Sequence, residues 1–244
     1  MRNVKLTVQY DGTHYAGWQT QKNAKTVQEV IEKALRKITG EKVNLTGSGR
    51  TDSGVHARAQ VANFRTRSAL PLKNIQMALN SILPKDIVIS GAEEAGPKFS
   101  AQHSAKSKVY RYTIANGDFV DPFIRRFAAK CFYKLDMGAM KRAASVLCGK
   151  HDFRSFQAKD VIERGSVRTI KKITIEKDGY LIYIDIEANG FLYNMARNIA
   201  GTLIEVARGK IPEDRVKDIL LKKDRRLSGP TAPAQGLCLM KVKY

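Results

Sequence analysis

Residues 47–64 read GSGRTDSGVHARAQVANF, and the rest of the chain is organised around this stretch. Its first eight residues contain three glycines, which predict a tight loop because glycine adopts left-handed backbone conformations and lets other backbone approach closely. Within the loop, a single residue separates Arg50 from Asp52. A permanent positive charge beside a carboxylate favours the ionised form. The loop therefore presents Asp52 as a candidate for chemistry.

Two interpretations of Asp52 are open at this point. An aspartate next to serine and glycine commonly accepts hydrogen bonds from its own turn backbone. Alternatively, an ionised carboxylate in a loop acts as a nucleophile or takes up a proton. The local composition alone favours the first interpretation.

Composition indicates a polyanionic partner. The 244 residues include 43 Lys and Arg against 23 Asp and Glu, which gives a net charge of +20. This imbalance exceeds what solubility requires and favours nucleic acid as the partner. An acidic membrane surface would also attract the charge, but no apolar run approaches the roughly 20 residues of a membrane span.

The cysteines and histidines predict neither a disulfide framework nor a metal site. The three cysteines, Cys131, Cys148 and Cys238, are isolated in the sequence. Cys148 and His151 have the spacing of metal ligands, but no second pair completes a zinc site. The N-terminus has no signal or transit character. We therefore expect a cytoplasmic protein that needs no metal.

The first part of the chain predicts the order β-α-β-β-α-β, a split βαβ pattern. The predicted strands cover residues 5–10, 42–46, 60–66 and 87–92. Thr26 and Glu29 form a capping box for the first helix, which Gly40 ends. The second helix begins at Pro71 and ends before Pro84.

The second part repeats the alternation of strands and helices. Strands are predicted at residues 109–115, 130–135, 168–176, 180–187 and 236–242. Two of them flank Asp178-Gly179, which is a hairpin signal. Helices are predicted at residues 137–147, 191–208 and 214–221. Arg197 lies in the first turns of the longest of these.

These patterns predict an α/β fold of the α+β type. We expect two α/β halves, residues 1–105 and 106–244, that share a largely antiparallel mixed sheet flanked by helices. The first half carries the loop with Asp52, and the second carries the helix with Arg197.

Five stretches of the chain resemble the tRNA pseudouridine synthase I family in order. They are GRTDSGVHA with QVANF, YDGTHYAGWQTQ at residues 10–21, FSAQHSAKSKVYRY at 99–112, FLYNMARNIAGTLIEVARGK at 191–210 and SGPTAPAQGLCLMKV at 228–242. The family pattern for the first is GRTDAGVHAxGQV. A match of this extent and order overrides the composition-based interpretation of Asp52 as a turn cap.

The resemblance implies the pseudouridine synthase fold and the isomerisation of uridine to pseudouridine at tRNA positions 38–40, in the anticodon stem-loop. It implies that Asp52 is catalytic, by covalent attack or by removal of a sugar proton. Tyr110 would stack against the target base, and Arg197 would pair with the catalytic aspartate. Arg50 and Arg58 would contact phosphates. The family also implies a homodimer that binds tRNA without any cofactor.

The chain departs from the family pattern at a few positions. Gln102 stands where the family usually has arginine, so one expected charge is missing. Ser53 and Ala59 replace the usual alanine and glycine of the loop, and both are small enough to leave its backbone unchanged.

Two other functions are compatible with parts of the sequence. A non-catalytic RNA-binding module has the same β-α-β-β-α-β order, but the chain lacks a clear RNP1-like string. A carboxylate-dependent hydrolase with a small anionic substrate would explain Asp52 but not the extent of basic surface. Basic clusters at residues 125–126, 171–172 and 222–226 look like solvated faces one by one, and together favour a tRNA footprint.

Overall fold

The computed structural model describes residues 1–158 and 165–244. They form two compact units, the first made of Met1–Lys106 with Leu239–Tyr244 and the second of Ser107–Cys238. Each unit combines helices with mainly antiparallel strands, so the predicted α/β class is confirmed. The last residues of the chain pack with the first unit, although they are far from it in the sequence. The predicted division at residue 105 placed them in the second half.

The first unit contains the predicted split βαβ arrangement. Its elements are β1 (Arg2–Tyr10), α1 (Val27–Thr39), β2 (Thr46–Gly47), β3 (His56–Thr66), α2 (Leu72–Ile82) and β4 (Ile87–Ala95). The central strand β1 pairs antiparallel with β3 on one side and with β4 on the other. The short β2 adds to the far edge of β3. The predicted order of elements is confirmed.

Local sequence explains the ends of α1. The Thr26 side chain accepts a hydrogen bond from the backbone N–H of Glu29 at 3.4 Å, as a capping threonine does. At the other end, Gly40 has a φ of 71°, a conformation that glycine adopts at little cost. Both predicted ends of this helix are confirmed.

The predicted strand at residues 42–46 is wrong except at its last residue, because β2 covers only Thr46–Gly47. The backbone of Leu45 bonds to side chains of α1 instead of to a neighbouring strand. Its N–H donates to Glu32 at 2.9 Å, and its carbonyl accepts from Gln28 at 3.1 Å. Helix side chains thus satisfy the polar groups that a strand would have paired.

The elements of the second unit are β5 (Ser107–Asn116), β6 (Ala129–Cys131), α3 (Met137–Val146), β7 (Gly149–Asp152), β8 (Val167–Asp178), β9 (Leu181–Ala188), α4 (Met195–Ala207) and α5 (Arg215–Lys222). Neighbouring strands follow the order β5–β9–β8–β7, and β6 pairs parallel with β5. The predicted hairpin of β8 and β9 is confirmed, and Gly179 turns it with a φ of 56°. The sequence did not predict β7.

The last strand is β10 (Leu237–Lys243). Its residues from Leu239 onward belong to the first unit, where β10 is the neighbour of β3. The Lys243 carbonyl accepts a hydrogen bond from the Lys106 N–H at 2.8 Å.

The long helix begins later than predicted, at Met195 rather than at residue 191. Asn194 has a φ of 60°, which is left-handed and breaks the helical path. The preceding Phe191 is not in the helix, and its ring packs edge-on against Tyr110 with centroids 4.9 Å apart. Tertiary packing of this aromatic pair accompanies the loss of the first predicted turn.

Candidate functional site

In the first unit, Asp52 lies in the loop that joins β2 to β3. The loop has no regular secondary structure up to His56, and Asp52 is half-buried within it. The Asp52 carbonyl accepts a hydrogen bond from the Val55 N–H at 3.1 Å, which closes a tight turn over Ser53 and Gly54. Gly54 has a φ of 76°, as that turn requires.

The loop is held by a second motif, the residues that follow β1. The Thr51 carbonyl accepts from the Trp18 N–H at 3.1 Å, and the Thr51 hydroxyl bonds to the Tyr10 hydroxyl at 2.8 Å. On the other side of Asp52, the Gly54 N–H donates to the Tyr15 carbonyl at 3.2 Å. The backbone is therefore fixed immediately before Asp52 and two residues after it.

Glycines make this close approach possible. A Cβ atom at Gly12 would overlap with the Val55 carbonyl oxygen, and one at Gly17 would lie 2.5 Å from the Thr51 carbonyl oxygen. Gly17 also has a φ of 92°. Two stretches that the sequence singled out separately thus interlock through their backbones.

The buried His56 closes the end of the loop. Its Nδ1 atom accepts a hydrogen bond from the Gly12 N–H at 3.0 Å. Arg50 and Arg58 are both exposed, Arg50 in the loop before Asp52 and Arg58 on β3 after it. Solvent-facing arginines of this kind are available to a polyanionic ligand, and their phosphate-binding role stays a prediction.

In the second unit, Tyr110 and Tyr112 lie on the same face of β5, because they are alternate residues of the strand. Tyr110 is 6% exposed and packs against Phe191. Tyr112 is fully buried and donates to the Pro233 carbonyl at 3.0 Å. Burial raises the pKa of the Tyr112 hydroxyl, and the nearby charge of Arg197 opposes that rise.

Arg197 is the third residue of α4 and is half-buried. Its Nε donates to the Ala232 carbonyl at 2.8 Å, and its Nη1 donates to the Asn194 side chain at 3.2 Å. These bonds orient the guanidinium, so Arg197 is not the solvated surface arginine usual on a helix. Asn194 thus has two roles. Its left-handed backbone marks the start of the helix, and its side chain accepts a hydrogen bond from Arg197.

The loop that supplies Ala232 crosses α4 at Gly201, where a Cβ atom would overlap with the Pro230 carbonyl oxygen. Gly201 therefore admits the backbone of another segment against the helix. At the next residue of the helix, the Thr202 hydroxyl accepts a hydrogen bond from the Gly229 N–H at 2.9 Å. The absence of a side chain at Gly201 and the hydrogen bond to the Thr202 hydroxyl together allow the loop to pack directly against the helix.

Arg225 holds the same loop from the other side. Its Nη2 donates to the side chains of Asn198 at 3.0 Å and Thr231 at 3.1 Å, and its Nη1 donates to the Ser228 hydroxyl at 2.7 Å and the Gly229 carbonyl at 2.9 Å. The neighbouring Arg226 is exposed and pairs with Asp224.

Within the basic cluster at residues 222–226, Arg225 is therefore a side chain that holds the loop and not a solvated one. No signal in the run of basic letters distinguishes Arg225 from Arg226. Its acceptors Asn198 and Thr231 lie in other parts of the sequence, so only the folded chain identifies it as a positioning residue.

The structure places the predicted site residues in two groups. Arg50, Asp52 and Arg58 lie in the first unit, on the loop and the strand that follows it. Tyr110 and Arg197 lie in the second unit. Tyr112 is on the same strand as Tyr110, and the charge of Arg197 affects the pKa of its hydroxyl.

Within residues 1–158 and 165–244, no cluster of three or more histidine, cysteine, aspartate or glutamate side chains is arranged to hold a metal ion. In the same residues, no helix combines the length and the apolar character needed to cross a membrane. The three cysteines are free thiols.

Comparison with known proteins identifies the family. The tRNA pseudouridine synthase family model matches residues 6–104 and 143–244. The tRNA pseudouridine synthase A of Thermoanaerobacter sp. (strain X514) is 53% identical over 244 residues, which is 100% of both chains. The tRNA pseudouridine synthase A of Acetivibrio thermocellus and the tRNA pseudouridine synthase A 2 of Clostridium perfringens are each 48% identical over the same full lengths.

The chain belongs to the tRNA pseudouridine synthase family, because the match covers most of its length and the identity is high. It is an isomerase that converts uridine in tRNA to pseudouridine.

Proposed function

We propose that the chain modifies uridines at tRNA positions 38, 39 and 40, in the anticodon stem-loop, with Asp52 as the catalytic carboxylate. The reaction breaks the bond from N1 of uracil to C1′ of the ribose and forms a bond from C5 to C1′. N1 gains a proton and C5 loses one, so no oxidant or energy source is consumed. A carboxylate next to C1′ serves this chemistry by attack on carbon or by removal of a sugar proton.

The observation that carries the proposal is the rigid seating of the loop around Asp52. Backbone hydrogen bonds to Trp18 and Tyr15 hold the chain on both sides of a half-buried carboxylate. A group held in this way loses little further freedom when the substrate arrives, which favours reaction. A turn-capping aspartate would not need such support from a distant motif.

The remaining residues have supporting roles in the proposal. The family resemblance gives Arg197 an electrostatic role, in which its fixed guanidinium keeps the catalytic carboxylate ionised. We place the target base at the rim of the Tyr110–Phe191 pair, because Tyr110 itself is nearly buried. The exposed Arg50 and Arg58 contact phosphates and help offset the few kcal/mol that flipping a base costs.

The homodimer, the target positions and the compartment have support other than the geometry around Asp52. The homodimer and the positions 38–40 rest on the family resemblance. The cytoplasm is the proposed compartment, because free cysteines such as Cys131 suit a reducing environment.

The test of Asp52 is tritium release from tRNA labelled at C5 of uridine. We expect Asp52→Ala to lower the release rate about 1000-fold or more, with tRNA affinity within about threefold of the wild type. Ser53→Ala is the matched control, because it changes the adjacent residue to the one usual in the family. It should keep the wild-type rate.

Turnover by Asp52→Ala at the wild-type rate would overturn the assignment of Asp52. Mapping of pseudouridine in the product tests the positions separately. Product outside positions 38–40 would overturn that part of the proposal while the isomerase activity stands.

A further inference from the structure

Lys108 lies on the same face of the second unit's sheet as Tyr110, since the two are alternate residues of β5. In the register of the sheet, Lys108 is opposite Ala188 of β9, and Ala188 is opposite Ile170 of β8. Arg168 precedes Ile170 by two residues and so lies on that face too. Two cations therefore stand beside the aromatic pair of Tyr110 and Phe191.

The opposite face of the same strands shows how cations are neutralised here. Arg111 donates from Nε and Nη2 to both carboxylate oxygens of Asp185, each at 2.7 Å. The next acidic residue of β9 on that face, Glu187, accepts from the Ser107 hydroxyl at 2.8 Å. The acidic residues of β9 thus serve the face that Lys108 does not occupy.

Lys108 has no such partner in the part of the chain that the structure describes: its ammonium makes no hydrogen bond or ion pair there. It is nevertheless half-buried. Burial, and then the charge of Arg168, lower the pKa of Lys108 below its ordinary value. A partly desolvated cation that faces another cation is stabilised when an anion enters.

Arg168 is held in place beside it. Its Nη1 donates to the carbonyls of Gly165 at 3.0 Å and Val167 at 2.9 Å. A Cβ atom at Gly190 would lie 3.4 Å from the Arg168 side chain, so the glycine leaves room for that side chain against the turn. The second cation is therefore preorganised.

We propose that Lys108, with Arg168 beside it, binds one phosphodiester of the RNA that flanks the nucleotide received at Tyr110. The inference rests on the proposed function and adds a positioning contact to it. Phosphate contacts of this kind fix the register of a nucleic acid without reading its sequence. An enzyme that takes one uridine out of a stem needs such a register.

The test uses anticodon stem-loops in which a single methylphosphonate neutralises the phosphodiester 5′ or 3′ of the target uridine. For the wild type, we expect one of the two substitutions to weaken binding about tenfold. For Lys108→Met, ordinary RNA should bind about tenfold more weakly, and the same neutral linkage should cause no further loss. The slope of log Kd against log salt concentration should fall by about one in this variant.

Two matched variants complete the experiment. Lys108→Arg keeps the charge and should restore the sensitivity to the neutral linkage. Lys171→Met removes an exposed lysine from β8. Whatever its effect on overall affinity, it should leave the methylphosphonate penalty as in the wild type.

Equal methylphosphonate penalties in the wild type and in Lys108→Met would overturn the inference, and so would unchanged affinity of Lys108→Met for ordinary RNA. Failure of the wild type to release tritium would contradict the proposed function instead. The coupling between Lys108 and the phosphate is measured by binding and does not depend on turnover.

Discussion

The loop around Asp52 and the start of α4 each position a charged residue, but they do so by different means. In the first unit, backbone packs against backbone, and Gly12 and Gly17 allow the approach. In the second unit, side chains hold the loop that orients Arg197, through Arg225 and Thr202. Both regions need a glycine where two backbones cross, Gly201 being the one in the second unit, but the second region also depends on the side-chain hydrogen bonds of Arg225.

This difference has a physical consequence. A carbonyl oxygen that touches a glycine Cα has no room to move aside, because the backbone of both segments is already bonded. An arginine that donates hydrogen bonds to several acceptors can lose some of them and keep others, so a lysine in its place retains part of the hydrogen bonding. A change at Gly12 should therefore disrupt its region abruptly, and a change at Arg225 should weaken its region by degrees.

The largest effect is expected from Gly12→Ala. The new methyl group would overlap with the Val55 carbonyl oxygen, so the loop has to shift. We expect the free energy of unfolding to fall by about 3 kcal/mol and tritium release to be lost along with the geometry of Asp52. Urea denaturation and the release assay measure the two effects.

Gly96→Ala is the control, because a Cβ atom there meets no other atom within 4 Å. It should leave both quantities unchanged. If Gly12→Ala matched this control, the loop would be more yielding than its packing indicates.

A smaller effect is expected from Arg225→Ala. Loss of the guanidinium removes its hydrogen bonds to the Gly229 carbonyl and the Thr231 hydroxyl and leaves Asn198 Oδ1 with Thr231 as its donor, which costs about 2 kcal/mol of unfolding free energy. We expect kcat to fall about tenfold, because the loop no longer orients Arg197. Arg225→Lys should recover part of both losses.

The adjacent Arg226→Ala supplies the comparison for that prediction. Arg226 is exposed and pairs with Asp224 in solvent, so its loss should leave the unfolding free energy close to that of the wild type. Equal effects of the two substitutions would contradict the role given to Arg225.

The smallest effect is expected from Asp152→Asn, at the edge of the second unit. Burial raises the pKa of the Asp152 carboxyl, but hydrogen bonds from Ser166, the Arg154 N–H and Lys223 outweigh it and leave the pKa lowered. A lowered folded-state pKa stabilises the fold above the unfolded value of about 4, and this stability is lost as pH falls.

Asp152→Asn should therefore be less stable than the wild type by about 1 kcal/mol at pH 7, with the difference closing as pH falls below the ordinary pKa of an aspartate. Thermal unfolding across this pH range measures it. Asp118→Asn, at an exposed aspartate, is the control for the loss of a surface carboxylate. A gap for Asp152→Asn that persisted at low pH would indicate a cause other than ionisation.

The local sequence pattern predicted the structure correctly where residues of the segment itself make its backbone hydrogen bonds or set its backbone angles. The cap at Thr26, the stop at Gly40 and the turn at Gly179 are all local hydrogen bonds or local dihedral angles. The pattern gave a wrong prediction where interactions outside the segment's own regular structure changed its backbone. Leu45 lies in an alternating stretch, yet side chains of α1 take its backbone bonds, and the left-handed Asn194 delays a helix whose apolar stripe extends further back.

The sequence by itself determined the family, the α/β class and the loop that carries Asp52, because those depend on residue order along short stretches. Only the tertiary structure separated Arg225 from Arg226, and showed Gly12 against the Val55 carbonyl and Lys108 on the sheet face opposite to that of Asp185 and Glu187. The reason is that burial and hydrogen-bond partners are set by segments far apart in the chain, so adjacent residues with the same letter acquire different environments.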